Sequence, residues 1–393
     1  MQNDLNEQVQ GILIDLVTTG KELGLQVAAY INGELVVDAW SGIADVTTGQ
    51  PIDGNTLFTS WSVTKGFAST CLHILADRGS IDYDQPIAIY WPGFSANGKD
   101  AITVRHVLTH TAGIPQMPKG VTPEMMTDWG AMCTAIAKLE PLWAPGTKTG
   151  YHAFTFGWIV GELIRRIDGR SIAQFAQEEL CHPLGIEDFY LGIPDDVETR
   201  IAPLSREPLP EGVTSEPTEL LSRAIPAHVS NVEVLNRPDV RRASIPAAGG
   251  IMNARAIARH FAMLASHGEL DGVRILSSEQ VDVIRTLQTD ARDEVLGYRV
   301  RKALGYFLGG DVSRGGIIPM GTSGNEFGHT GAGGSLGFAD PGRRIGFGLT
   351  KNLMTHGLDK TSIASELRET SLGGWNAAFL TAEAIRNQID SPD

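Results

Sequence analysis

Strand-like stretches fall only near the two ends of this chain, and that placement limits its fold more than any other feature. Residues 26–31 and 34–40 flank Asn32-Gly33, a pair that tolerates the positive φ values of a tight hairpin turn. The other strand-like pair, 335–339 and 344–351, is separated by the turn signal Asp340-Pro341-Gly342. Between them the pattern is helical: 62–78 with Gly79 as a stop, 154–167 ended by Asp168-Gly169, 172–180 capped by Ser171, and 254–267 capped by Asn253. Apolar residues Val9, Ile12, Leu13, Leu16 and Val17 predict a further helix over 5–23, and 367–388 reads as a terminal helix region interrupted at Gly373-Gly374. This order predicts an α+β architecture: an antiparallel sheet assembled from both chain ends and flanked by helices, with a mainly helical lobe inserted. The sheet-bearing domain would be discontinuous, 1–84 plus 241–393, and the helical lobe would span 85–240. Seven prolines between 194 and 238 and no sustained period predict a long loop within that lobe.

Two lobes also suit 393 residues, two to three times the usual domain length of roughly 100 to 200. Thirty-two Lys plus Arg against 46 Asp plus Glu leave a net charge of -14, which repels nucleic-acid backbones and anionic membrane surfaces. Three scattered cysteines, Cys71, Cys133 and Cys181, suit neither a disulfide framework nor a four-thiolate zinc site, so a reducing compartment is expected. The Met1-Gln2-Asn3-Asp4 start lacks a secretory signal, and no apolar run approaches ~18 residues. A cytoplasmic protein is the resulting expectation.

Three constellations carry possible chemistry. Ser62-Val63-Thr64-Lys65 sets a hydroxyl and an amine three residues apart, on one face of a helix start, where a serine nucleophile gains a base. Tyr151 follows Pro145-Gly146 and precedes the 154–167 helix. Beside an ammonium group its pKa would fall, letting it relay a proton as the phenolate. Gly328-His329-Thr330-Gly331-Ala332-Gly333-Gly334 is a small-residue run entering a strand, suited to close backbone approach and to an oxyanion-binding N–H.

In this order and at these separations the three constellations resemble the serine β-lactamase and penicillin-binding-protein superfamily, in particular its class C β-lactamase and family VIII carboxylesterase branch. Phe58-Thr59-Ser60-Trp61, Leu108-Thr109-His110-Thr111-Ala112-Gly113, Ala144-Pro145-Gly146 and Pro246-Ala247-Ala248-Gly249-Gly250 look familial as well. The resemblance implies the β-lactamase/transpeptidase-like fold and a double-displacement acyl transfer without metal or organic cofactor. Ser62 would attack, Lys65 and Tyr151 would share the proton traffic, and the N–H groups of Ser62 and Ala332 would form the oxyanion hole. His329, Gly331 and His152 would contact the substrate.

Two positions depart from the family pattern. Tyr151-His152-Ala153 stands where Tyr-x-Asn or Tyr-x-Ser is usual, and His329-Thr330-Gly331 where Lys-Thr-Gly is usual. A His with a pKa near ~6.5 is mostly neutral at pH 7, unlike an ammonium that anchors a carboxylate. The expected substrate is therefore a small uncharged ester with a short or medium acyl chain, or an aryl ester, with weak β-lactamase activity as a possible accompaniment. The alternatives are a β-lactamase, DD-peptidase or D-aminopeptidase, a transacylase of the same fold, and a non-catalytic binding or scaffold protein.

Other motifs compete. Gly333-Gly334-Ser335-Leu336-Gly337 matches a nucleophile elbow, but the residues after it predict a hairpin rather than the required helix. Lys148-Thr149-Gly150 imitates the third motif within the turn that presents Tyr151. His106 and His110 are spaced like zinc ligands but lack the accompanying Glu, which leaves core or capping roles.

Overall fold

The computed structural model describes residues 2–207, 217–354 and 376–391. Helix α1 (Gln2–Thr18) leads into β1 (Gly24–Ile31) and β2 (Glu34–Asp45), and a short β3 (Gln50–Pro51) follows. Asn32 and Gly33 carry φ values of 54° and 89°, the positive pair that the hairpin turn needs. Next come β4 (Leu57–Thr59), a 3-10 turn (Trp61–Val63) and α2 (Thr64–Asp77). The middle of the chain supplies α3 (Thr155–Asp168), β5 (Phe189–Leu191) and β6 (Ile201–Ala202), then β7 (Gly250–Met252) and α4 (Ala254–Ala265). β8 (Phe307–Leu308), β9 (Phe327–Thr330), β10 (Leu336–Asp340), β11 (Ile345–Lys351) and α5 (Asn376–Asp390) complete the fold.

The main sheet has seven strands in the order β8-β9-β10-β11-β1-β2-β3, and every neighbouring pair is antiparallel. Its centre joins the two chain ends, with Leu25 opposite Lys351 and Ile31 opposite Ile345. All of β11 and all but the last residue of β1 are buried, so both faces at that seam are covered. α1 packs against β2 and α5, and α4 against β11, β1 and β10.

The expected α+β fold with an antiparallel sheet assembled from both chain ends holds, and its detail changes. A second sheet, ordered β5-β7-β4-β6, ties residues 189–202 of the expected helical lobe to the strands beside the Ser62 turn. The stretch 194–238 is not one loop among its described residues: it contains a 3-10 turn (Asp195–Arg200), β6, and short helices Glu219–Ala224 and Val232–Leu235. Thr218 and Asn231 cap those helices through their side chains. The expected terminal helix is seen from Asn376 onward, and its 367–375 part lies outside the described residues. Among the described residues no helix is long and apolar enough to cross a membrane.

Candidate active site

Ser62 stands in the 3-10 turn, not in α2, which begins two residues later. The turn is pinned from both sheets. Ser60 N–H donates to Gly250 O at 2.9 Å, its hydroxyl lies 3.0 Å from Thr350 Oγ1, and Gly250 N–H donates to Thr64 Oγ1 at 3.0 Å. Trp61 enters it at φ 49°, a left-handed conformation that costs a bulky buried residue about 1–3 kcal/mol and persists because the surrounding strands impose it.

One helical turn along, Lys65 is completely buried. Its Nζ lies 3.0 Å from Ser62 Oγ, 2.7 Å from Ala153 O and 2.8 Å from Ala247 O. No carboxylate is among these partners, and burial pulls the Lys65 pKa well below its ordinary value. A neutral amine satisfies the three contacts: two N–H bonds donate to the carbonyls, and the lone pair accepts from the Ser62 hydroxyl.

Tyr151 completes the cluster, with its ring centroid 4.9 Å from Lys65 Nζ. Here the sequence expectation is corrected. Tyr151 was expected as a phenolate beside an ammonium, but burial pushes the phenol upward while it pushes Lys65 downward. Desolvation penalises both charged forms and so favours the phenol and the amine over the phenolate and ammonium.

The loop holding Tyr151 is fixed by its neighbours. Gly150 N–H donates to His110 O at 2.9 Å, His152 N–H to His110 Nδ1 at 3.1 Å, and Tyr151 N–H to Asp293 Oδ1 at 3.0 Å. Lys148-Thr149-Gly150 belongs to this turn, as its position suggested. His152 is fully buried: its Nδ1–H donates to Gly150 O at 2.7 Å, and its Nε2 accepts from Ile114 N–H at 3.2 Å. Both ring nitrogens are thus spent on the backbone, and burial pulls the His152 pKa down to about 4. Neither nitrogen is left for a substrate, which replaces the expected contact by a packing and positioning role. His106 caps its helix in a reciprocal box with Thr103, and His110 is buried against Tyr151 and Phe156.

The third motif reaches the site from β9. His329 is buried beside Tyr151, at 6.1 Å between ring centroids, and stacks on Phe307 at 4.5 Å. Its Nδ1–H donates to Thr330 O at 2.7 Å, whereas Nε2 has no hydrogen-bond partner among the described residues. Burial pulls its pKa down to about 3, so this ring is neutral across the physiological range. Gly331 brings the loop against the nucleophile turn: a Cβ there would stand 2.7 Å from Ser60 O and 3.4 Å from Trp61 Cβ. Ala332 opens the short 3-10 turn that follows. Ser335 ends that turn and is buried where β9 returns as β10, so the strand, sharp turn and helix of a nucleophile elbow are not formed.

Sequence reading did not assign three contributors: the carbonyls of Ala153 and Ala247, and the carboxylate of Asp293. The second of these lies in Pro246-Ala247-Ala248-Gly249-Gly250, a stretch noted only for its likeness to the family. Among the described residues no cluster of His, Cys, Asp or Glu could hold a metal ion.

An antiparallel sheet closed by both chain ends, with a Ser-x-x-Lys turn beside a tyrosine loop and a strand ending in His-Thr-Gly, is the β-lactamase/transpeptidase-like α+β fold. The chain belongs to the beta-lactamase family, whose model matches residues 9–369. It is 36% identical over 355 residues to the esterase/beta-lactamase LipL of Mycobacterium tuberculosis, a match covering 87% of this chain and 80% of LipL. The crystal structure of a family VIII carboxylesterase superposes with a TM-score of 0.85 at 33% identity, over 98% of this chain and 97% of that one. A penicillin-binding-protein homologue from Caulobacter crescentus superposes with a TM-score of 0.83 at 32% identity, over 96% of this chain and 98% of its own.

Proposed function

We propose that this protein is a serine carboxylesterase that hydrolyses small uncharged esters through an acyl-enzyme on Ser62. The observation that carries the reading is Lys65 Nζ, buried 3.0 Å from Ser62 Oγ with no counter-ion among the described residues. Ser62 Oγ attacks the ester carbonyl carbon and its proton passes to Lys65 Nζ. The carbonyl oxygen, now an anion, is held by the N–H groups of Ser62 and Ala332. When the C–O bond to the alcohol breaks, the Tyr151 phenol protonates the departing oxygen and recovers a proton from Lys65. Water then attacks the acyl carbonyl while Lys65 accepts its proton, and collapse returns that proton to Ser62, releasing the carboxylic acid.

The substrate class follows from His329 and Gly331 at the third motif. A neutral, buried imidazole offers a carboxylate no charge, so an uncharged ester loses least on entering. The esterase names of LipL and of the family VIII structure support the same class. A second reading, amide or β-lactam hydrolysis by the same acyl-enzyme, draws on the likeness to the penicillin-binding-protein homologue. Transfer of the acyl group to an acceptor other than water would use the same first half-reaction. The -14 charge argues against nucleic-acid and membrane partners, and the three buried, unbridged cysteines suit a reducing cytoplasm.

The test assays p-nitrophenyl acetate and butyrate against a chromogenic cephalosporin, each with Ser62→Ala. Ester turnover exceeding cephalosporin turnover and lost in Ser62→Ala is expected; the reverse preference would favour the second reading. Undiminished ester turnover in Ser62→Ala would remove Ser62 as nucleophile.

A further inference from the structure

Beneath Tyr151 lies a pair of charges that the proposed reaction does not use. Asp293 and Lys302 are both fully buried, with Lys302 Nζ 2.5 Å from Asp293 Oδ2 and 2.6 Å from Thr149 Oγ1. The other carboxylate oxygen, Oδ1, accepts from three backbone N–H groups: Tyr151 at 3.0 Å, Val295 at 2.9 Å and Leu296 at 2.8 Å. Glu294 N–H adds a main-chain bond to Thr149 O at 2.8 Å. Two segments about 140 residues apart are thus joined at one carboxylate, and one of the N–H groups it holds belongs to the tyrosine itself.

A buried ion pair is a costly way to gain stability, since an apolar pair of similar volume is often as good or better. What a carboxylate does that an apolar side chain does not is collect several N–H groups at fixed angles. Lys302 extends into the same region by a second route: it bridges to Phe307, which stacks on His329 and lies 5.7 Å from Tyr151 between ring centroids.

We propose that Asp293, held by Lys302, is a positioning residue for Tyr151, and that it governs how well the enzyme cleaves esters whose alcohol must be protonated as it leaves. The inference rests on the role given to Tyr151 above. Its consequence depends on the leaving group. A p-nitrophenolate departs without a proton, whereas an alkoxide does not, so a displaced phenol slows alkyl esters and leaves p-nitrophenyl esters nearly untouched. A loss of folded protein would lower both alike.

The experiment compares ethyl butyrate with p-nitrophenyl butyrate in three variants of the full chain. Asp293→Leu with Lys302→Met removes both charges and the acceptor. Asp293→Asn with Lys302→Met also removes both charges but keeps an Oδ1 for the Tyr151 N–H. Neither leaves an unpaired buried charge, so folding is not put at risk by one. Tyr151→Phe is the reference. The leucine variant is expected to lose roughly 30- to 100-fold in kcat on ethyl butyrate and less than about 5-fold on p-nitrophenyl butyrate, with KM little changed. The asparagine variant should stay within about 5-fold of the parent on both, because the acceptor remains. If Tyr151→Phe shows the selective loss and the leucine variant does not, the positioning role is overturned and the proposed reaction stands. If Tyr151→Phe itself lacks the selective loss, the role of Tyr151 falls, and this inference falls with it.

Discussion

Lys65 Nζ stands 3.0 Å from Ser62 Oγ and meets two main-chain carbonyls, those of Ala153 and Ala247, instead of a carboxylate. An ammonium in that place would have three acceptors and no counter-charge. Burial therefore favours the amine, which is the form able to take a proton from the serine.

The first prediction concerns this base. Ester turnover should rise with pH as Lys65 loses its proton and fall on the acid side, where an ammonium cannot accept one. Lys65→Met should lower kcat by about a thousandfold or more and stop a fluorophosphonate from labelling Ser62. Steady-state kinetics and mass spectrometry of the labelled protein read both effects.

A second prediction concerns how Ala247 is held. Gly157 in α3 faces the 246–247 backbone so closely that a Cβ would fall inside contact with Ala247 N and 2.7 Å from the Pro246 carbonyl carbon. Gly157→Ala must push that segment away, and the Ala247 carbonyl with it. An activity loss of about tenfold and a stability loss of about 1–3 kcal/mol are expected. Parent-like kinetics together with parent-like urea unfolding would show that this contact does not set Lys65.

Charge at the third motif supplies a third. His329→Lys places an amine where a neutral imidazole now stacks on Phe307. The ratio of cephalosporin to p-nitrophenyl butyrate turnover should rise by about tenfold or more, since a carboxylate then finds a cation. An unchanged ratio would mean that substrate charge is read elsewhere.

The fourth is a stability effect with a fixed sign. The His329 pKa is pulled down to about 3 in the folded protein, so between that value and the ~6.5 of the unfolded chain only the unfolded state is protonated. Its share of stability is complete above pH ~6.5 and is lost as pH falls toward 3. His329→Phe should therefore flatten the dependence of unfolding free energy on pH by up to about 1.4 kcal/mol per pH unit in that window. Urea midpoints between pH 4 and 7 would show it, and parallel curves for parent and variant would contradict it.

What the sequence made legible follows from the range of each interaction. Ser62 and Lys65 are three residues apart, so their meeting was readable from helical spacing. The end-to-end sheet was readable because its longer strands carry turn signals at Asn32-Gly33 and Asp340-Pro341-Gly342. Strands of two or three residues, such as Leu57–Thr59 and Ile201–Ala202, have no period to read, and the second sheet was missed for that reason. The carbonyls of Ala153 and Ala247 were invisible because main-chain groups have no residue signature. Asp293 was invisible because its most telling partner is an N–H 142 residues earlier. The ionisation of Tyr151 was misread because it depends on burial by elements from separate parts of the chain.

The pairing of β1 with β11 also bears on how the protein is made. The first hairpin emerges from the ribosome about 300 residues before the strand that lies along its other side. At roughly 5–20 residues per second that wait lasts roughly 15–60 s, during which β1 presents an open apolar edge. Nascent chains stopped short of residue 345 should bind holding chaperones or aggregate, and the seam can close only once residues 345–351 have emerged.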